Sequence, residues 1–173
     1  MSEADYIPSS RRANLVEHLF IGELLRYLWC AGYHDVDVLH AETDANGYDV
    51  VIDANSVIRH IQIKSCALTA KTRIQKVPTE LWRKPCGCVI WVRFDPESMS
   101  IGPYRWYGAR PGRSLVEISS PIALPRTTNI NSYSKNIKTE HNHIRAIYSS
   151  EFDKVDSIAE LVERLFDISP QNL

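Results

Sequence analysis

Gly47-Tyr48-Asp49-Val50-Val51-Ile52-Asp53, followed by Arg59-His60-Ile61-Gln62-Ile63-Lys64-Ser65, is the stretch whose reading decides the fold of this chain. Both runs are rich in β-branched residues, and Asn55-Ser56 between them reads as a hairpin-like turn. The spacing predicts strands over Tyr48–Ala54 and Val57–Cys66. Residues at i and i+2 of a strand share a face, so Gln62 and Lys64 emerge side by side. Asp49 lies thirteen positions before Gln62, and pairing of the two strands brings it toward the same patch. A carboxylate, an amide oxygen and an ammonium together suit a divalent cation and a phosphate, which points to metal-assisted hydrolysis of nucleic acid.

Upstream, residues 1–13 are polar, and Ser9 or Ser10 can cap a helix expected from about Arg12 to Cys30, stopping near Gly32. At about 100° per residue, Asn14, His18, Gly22 and Arg26 form its polar stripe, opposite Val16, Phe20, Leu24, Tyr27 and Leu28. Glu17 falls among the apolar set and Glu23 at its margin. An acid facing a core is costly unless paired, so both are candidates to approach a metal from the helix. The bland alternative places Glu17 in early helical turns, tilted to solvent and favouring the dipole.

Asp35–His40 alternates as a first strand, and 42–47 is a turn-rich loop. Lys71, Arg73 and Lys76 form a basic stretch after the Gln-X-Lys strand. It reads as a solvated loop or, more specifically, as phosphate contacts to nucleic acid. Pro78–Arg83 is expected as a short helix. Cys88–Phe94 is apolar without alternation, as in a central strand buried on both faces. Tyr104–Gly108 is a further strand whose aromatics suit either core or base stacking. Residues 109–136 read as irregular, and Asp156–Phe166 as an amphipathic closing helix. The reading is thus one α/β domain over 1–173, with a central mixed sheet flanked by helices, a core over about 12–95 and a last helix at about 156–167.

The chain has 173 residues, 44% hydrophobic and 24% charged, with net charge −1. That is enough for one substantial core, and it confines any nucleic-acid contact to a local patch. With no membrane-length apolar run and no signal-peptide pattern, the cytoplasm is the expected compartment and no membrane partner is expected. Cys86-Gly87-Cys88 is spaced too closely for a zinc hook, so Cys30, Cys66, Cys86 and Cys88 read as reduced, mostly buried thiols. His141-Asn142-His143 reads as a polar turn.

In the expected chemistry Asp49 is the central ligand to Mg²⁺, with Mn²⁺ as a substitute. Gln62 adds its side-chain oxygen, the Ile63 carbonyl another, and Glu17 or Glu23 approaches directly or through water. Lys64 orients the attacking water and stabilises charge on the phosphorane.

The ordered set of helix acid, Asp49 and Gln62-Ile63-Lys64 resembles the PD-(D/E)XK nuclease superfamily in its Gln-X-Lys variant. Gly47-Tyr48-Asp49-Val50-Val51 with Ile61-Gln62-Ile63-Lys64-Ser65 is similar to Mrr-type restriction endonuclease domains, as is Gly22-Glu23 in the first helix. Tyr48 stands where that family has proline, and Gln62 where it has its second acid. The resemblance implies an αβββαβ core and a Mg²⁺-dependent DNA endonuclease of restriction, phage defence or repair. Its sequence specificity would come from a homodimer, a partner protein or the 100–140 loop. The alternatives are a catalytically inactive nuclease fold that binds DNA or scaffolds a larger complex, and a pure interaction protein.

Overall fold

A computed structural model describes residues 9–42, 46–115 and 144–168. The elements are α1 (Ser9–Cys30), β1 (Val36–His40), β2 (Val50–Ala54), β3 (Val57–Ala67), β4 (Ile74–Pro78), a 3-10 helix (Thr79–Arg83), β5 (Gly87–Phe94), β6 (Ile101–Gly108), β7 (Ile144–Tyr148), β8 (Asp153–Val155) and α2 (Ile158–Phe166). The expected α/β class holds: a six-stranded mixed sheet ordered β1-β2-β3-β5-β6-β8 carries the two helices. Among the described strands, only β3 and β5 pair in parallel. Their crossover, the helix position of an αβββαβ order, passes through β4 and the 3-10 helix.

Alternation explains the layering. The buried face of α1 is Val16, Phe20, Ile21, Leu24, Tyr27 and Leu28. It packs with α2 onto Val50, Ile52, Ile61, Cys88, Ile90, Val92, Tyr104 and Trp106. The intervening β5 residues Val89 and Trp91 point the other way. There, with Tyr107, they meet Val77, Leu81, Trp82, Leu115, Ile147 and Phe152. One strand feeding two cores is why Cys88–Phe94 shows no alternation.

The β2–β3 turn is left-handed at both Asn55 (φ 52°) and Ser56 (φ 61°), the twist that a two-residue hairpin requires. α1 already includes Ser9 and Ser10, so neither is its capping residue. In α2, Ser157 Oγ caps by accepting from Glu160 N at 3.2 Å. Arg59 crosses the helix-side core fully buried. Its guanidinium donates to the carbonyls of Leu165 (2.6 Å), Arg164 (3.0 Å) and Ala109 (3.0 Å). A cation at the carboxyl end of a helix meets the negative end of its dipole, so Arg59 ties α2 to the sheet. Burial lowers its pKa from the usual arginine range.

Lys71 and Arg73 precede β4, and Lys76 lies on it. The basic stretch therefore divides: Lys71 and Arg73 stay in the loop that the sequence suggests, and Lys76 belongs to a second, two-stranded sheet of β4 with β7. Of the cysteines only Cys88 is buried, where burial pushes its thiol up to about 12, and Cys30 is exposed. His141-Asn142-His143 and most of 109–136 lie outside the described residues. Among those described, no helix is long and apolar enough to cross a membrane.

Candidate active site

Asp49 sits immediately before β2, where the chain enters the hairpin. Asp49 N donates to Ile61 O at 2.9 Å, although Ile61 is already the register partner of Val50. Two residues thus address one, as in a bulge, which re-aims the side chain. The Asp49 carbonyl accepts from Ala41 N at 2.9 Å, so the backbone is held from both neighbouring strands. The carboxylate turns into the opening between β2 and β3. There its Oδ2 accepts from Ile63 N and from Gln62 Nε2, each at 2.6 Å. It takes the acceptor place that a continuing β2 backbone would have filled.

That pairing orients the amide. A carboxylate only accepts hydrogen bonds, so the Gln62 nitrogen must face it and Oε1 is turned the other way. Gln62 is buried. The N–H and C=O of one strand residue lie along the same edge, so the Ile63 carbonyl is directed to the same opening as its N–H. Lys64 follows two residues on, half-buried and on the Gln62 face.

The loop before Asp49 is held from below. Gly47 has φ +76°, and a Cβ there would stand 2.8 Å from Leu81 N, so only glycine lets this loop lie on the 3-10 helix. Tyr48 packs edge-on against His60 (5.0 Å between ring centroids), and the Lys84 ammonium lies 5.4 Å from the Tyr48 ring centre. Lys84 also donates to Asn46 Oδ1 at 3.2 Å. His60 Nδ1 lies 2.9 Å from Pro85 O. Partial burial, aided by the charge of Lys84 and opposed by the Pro85 carbonyl, lowers the His60 pKa.

The two helix acids separate. Glu17 Oε1 lies 3.5 Å from His40 Nδ1, at the end of β1 that adjoins Asp49. Glu23 Oε2 instead accepts from Tyr104 Oη at 2.9 Å, on β6. That is three strands from β2, about 14 Å at ordinary strand spacing. Burial first, and then the charge of Glu23, raises the Tyr104 pKa, so its hydroxyl remains the donor. Asp49, Gln62 and Ile63 are thus hydrogen-bonded together, with Lys64 beside them. Glu17 stands at the same end of the sheet, and Glu23 does not. Among the described residues, no group of three or more His, Cys, Asp or Glu side chains is gathered for a metal.

Sequence reasoning missed a row on this face. Lys64 pairs with Trp91, and Trp91 with Arg105, in one continuous register. The Arg105 guanidinium lies 5.4 Å from the Trp91 ring centre and donates to Ser149 O at 2.8 Å. The signal was present as Arg105 amid aromatics, but which strands became neighbours was not.

No family model matches this sequence, and no curated protein does either. The structure is similar to that of a bacterial homing endonuclease, I-Ssp6803I. The two are 21% identical, with a TM-score of 0.36, over 66% of this chain and 71% of that one.

Proposed function

We propose that this protein is a metal-dependent nuclease that hydrolyses phosphodiester bonds in DNA, with its site at Asp49, Gln62, Ile63 and Lys64. The observation that carries the reading is the convergence on one carboxylate oxygen: Asp49 Oδ2 accepts from both Gln62 Nε2 and Ile63 N. A catalytic carboxylate must be fixed before substrate arrives, and here both anchors belong to the strand that bears Lys64.

The donor set fits a hard cation. The Asp49 carboxylate and the Ile63 carbonyl are oxygens at one opening, and Gln62 Oε1 would join them only on rotation of its amide; Mg²⁺ keeps several waters, so few protein ligands suffice. Glu17 would act from the helix side through water. When bound, the metal would lower the pKa of a coordinated water and polarise the phosphoryl group. Asp49 balances cationic charge and holds Gln62 in register. Lys64, on the same face, steadies the growing negative charge on the phosphoryl oxygens and orients the attacking water.

A second reading, a catalytically silent nuclease fold that binds DNA or scaffolds a complex, is favoured by one feature. Asp49 is the one carboxylate in the hydrogen-bonded group, because Gln62 stands where a second acid would strengthen metal binding. The two readings part on plasmid, linear, single-stranded and branched DNA supplied with Mg²⁺ or Mn²⁺. The nuclease cuts at least one substrate, and Asp49→Ala or Lys64→Ala lowers the rate by about 100-fold or more while the fold persists. Binding without cutting under every metal condition sinks the first reading in favour of the second.

A further inference from the structure

We infer that the β4–β7 ribbon is the element that grips duplex DNA, and that Arg105 links it to the active site as a phosphate-binding residue. This extends the nuclease reading and rests on it for the direction in which the substrate runs. The ribbon is small: Ile74 pairs with Tyr148 and Pro78 with Ile144. Ser149 N donates to Arg73 O at 2.8 Å, which carries the pairing past Tyr148. Its inner side is fixed by Val77 and Ile147, which belong to the same core as Val89 and Trp91. The ribbon therefore stands on the face of the sheet that carries Gln62 and Lys64, not on the helix face.

Charge is concentrated there. Residues 71–78 hold Lys71, Arg73 and Lys76 and no acid, in a chain of 20 basic and 21 acidic residues. All three cations are exposed, as is Tyr148 beside them. The ribbon is also joined to the site by consecutive contacts. Lys64, Trp91 and Arg105 lie side by side across β3, β5 and β6, and Arg105 holds the Ser149 carbonyl while Ser149 holds that of Arg73. Arg105 spends one donor on Ser149 in that contact, and a guanidinium has five. From Lys64 to Arg105 is two strand spacings, about 10 Å. Cations thus run from the site, through Arg105, to the end of the ribbon. A polyanion with regularly repeating charge matches that track, and the major groove of a duplex admits a two-stranded ribbon.

The test is duplex binding by the full chain as a function of salt, using a short mixed-sequence DNA duplex, its single strand and the matching RNA duplex, in a metal chelator so that nothing is cut. The variants are Arg73→Ala/Lys76→Ala, Arg105→Ala, Arg105→Lys and Lys64→Ala. Each phosphate contact contributes about 0.9 to the slope of log affinity against log salt. The double variant should therefore lose nearly two units of slope and Arg105→Ala about one. Arg105→Lys should recover most of the latter, because charge rather than ribbon support is at issue. Lys64→Ala should abolish cutting in a separate assay with Mg²⁺ while keeping most of the binding. An unchanged slope in the double variant overturns the ribbon, and does so even if the wild type cuts DNA. The expected slopes in a protein that never cuts would preserve the ribbon and remove the nuclease. Tighter binding of the RNA duplex or of the single strand overturns the assigned substrate.

Discussion

The two faces of the central sheet are built on different rules. On the helix face nearly every side chain is apolar and sealed, and the one fully buried charged side chain among the described residues, Arg59, is spent on backbone carbonyls. On the opposite face, β3 and β6 present Gln62, Lys64 and Arg105 around Trp91, beside a core limited to the 3-10 helix, the ribbon and the residues near them. The first face stabilises the fold, and on the proposed reading the second keeps polar groups within reach of a substrate. Asp49 belongs to the second, because its carboxylate stands where a continuing strand backbone would otherwise accept from Ile63 N. If this division is right, substitutions on the helix face should cost stability, and those on the polar face should cost activity.

The largest expected loss of stability is at Phe20, fully buried between α1 and the sheet. Phe20→Ala should lower the unfolding free energy in urea by about 3–5 kcal/mol. A loss under about 1 kcal/mol would mean that this face is not the main core. Next comes Arg59→Ala, which strips the partner from three carbonyls and should cost about 2–4 kcal/mol. Arg59→Lys should recover only part of that, because an ammonium cannot present the guanidinium fork. Full recovery would show that charge alone, without the geometry, holds α2.

On the polar face the signature should be metal-linked. Gln62→Glu sets a second carboxylate against Asp49 Oδ2, where Gln62 now donates. In chelator the variant should be less stable than wild type by about 1–2 kcal/mol, and added Mg²⁺ should restore it by binding the folded state. Equal stability with and without Mg²⁺ would argue against a cation between these groups.

The smallest effect is at His60. Its folded-state pKa lies below the unfolded value near 6.5, chiefly through burial. Stability from neutral His60 is therefore complete above the unfolded pKa and lost as pH falls through that value toward the folded pKa. His60→Gln should show a shallower decline across that window in urea titrations at stepped pH. Identical profiles would place the imidazole in solvent.

How much of this was legible beforehand depends on whether the determinant is local. The α1 stripe came out residue by residue, because its burial follows a 3.6-residue period: Val16, Phe20, Leu24, Tyr27 and Leu28 are all buried, and Asn14, His18, Gly22 and Arg26 all exposed. The hairpin was local too, and its Asn55-Ser56 turn is where the chain reverses. The absence of alternation in β5 correctly signalled burial on both faces. What failed to show were pairings between distant segments. β4 and β7 are five residues each and bring Ile74 against Tyr148, a contact that no periodicity encodes. β8, at three residues, carries no pattern at all. Arg59 carries no local sign of its burial, because the carbonyls that receive it, those of Arg164 and Leu165, come from the far end of the chain. The choice between Glu17 and Glu23 turned on which strand each helix position overlies, and Tyr104 shows that Glu23 overlies β6.

The most direct test of the account is DNA cleavage in Mg²⁺ by wild type, Asp49→Ala and Lys64→Ala, with circular dichroism and urea stability measured on the same samples. The account predicts metal-dependent cutting by wild type. It also predicts that either substitution lowers the rate by about 100-fold or more, with unfolding free energies within about 1–2 kcal/mol of wild type. Cutting that survives both substitutions in folded protein would contradict it, because the carboxylate held by Gln62 and Ile63 and the lysine beside it would then have no part in the chemistry.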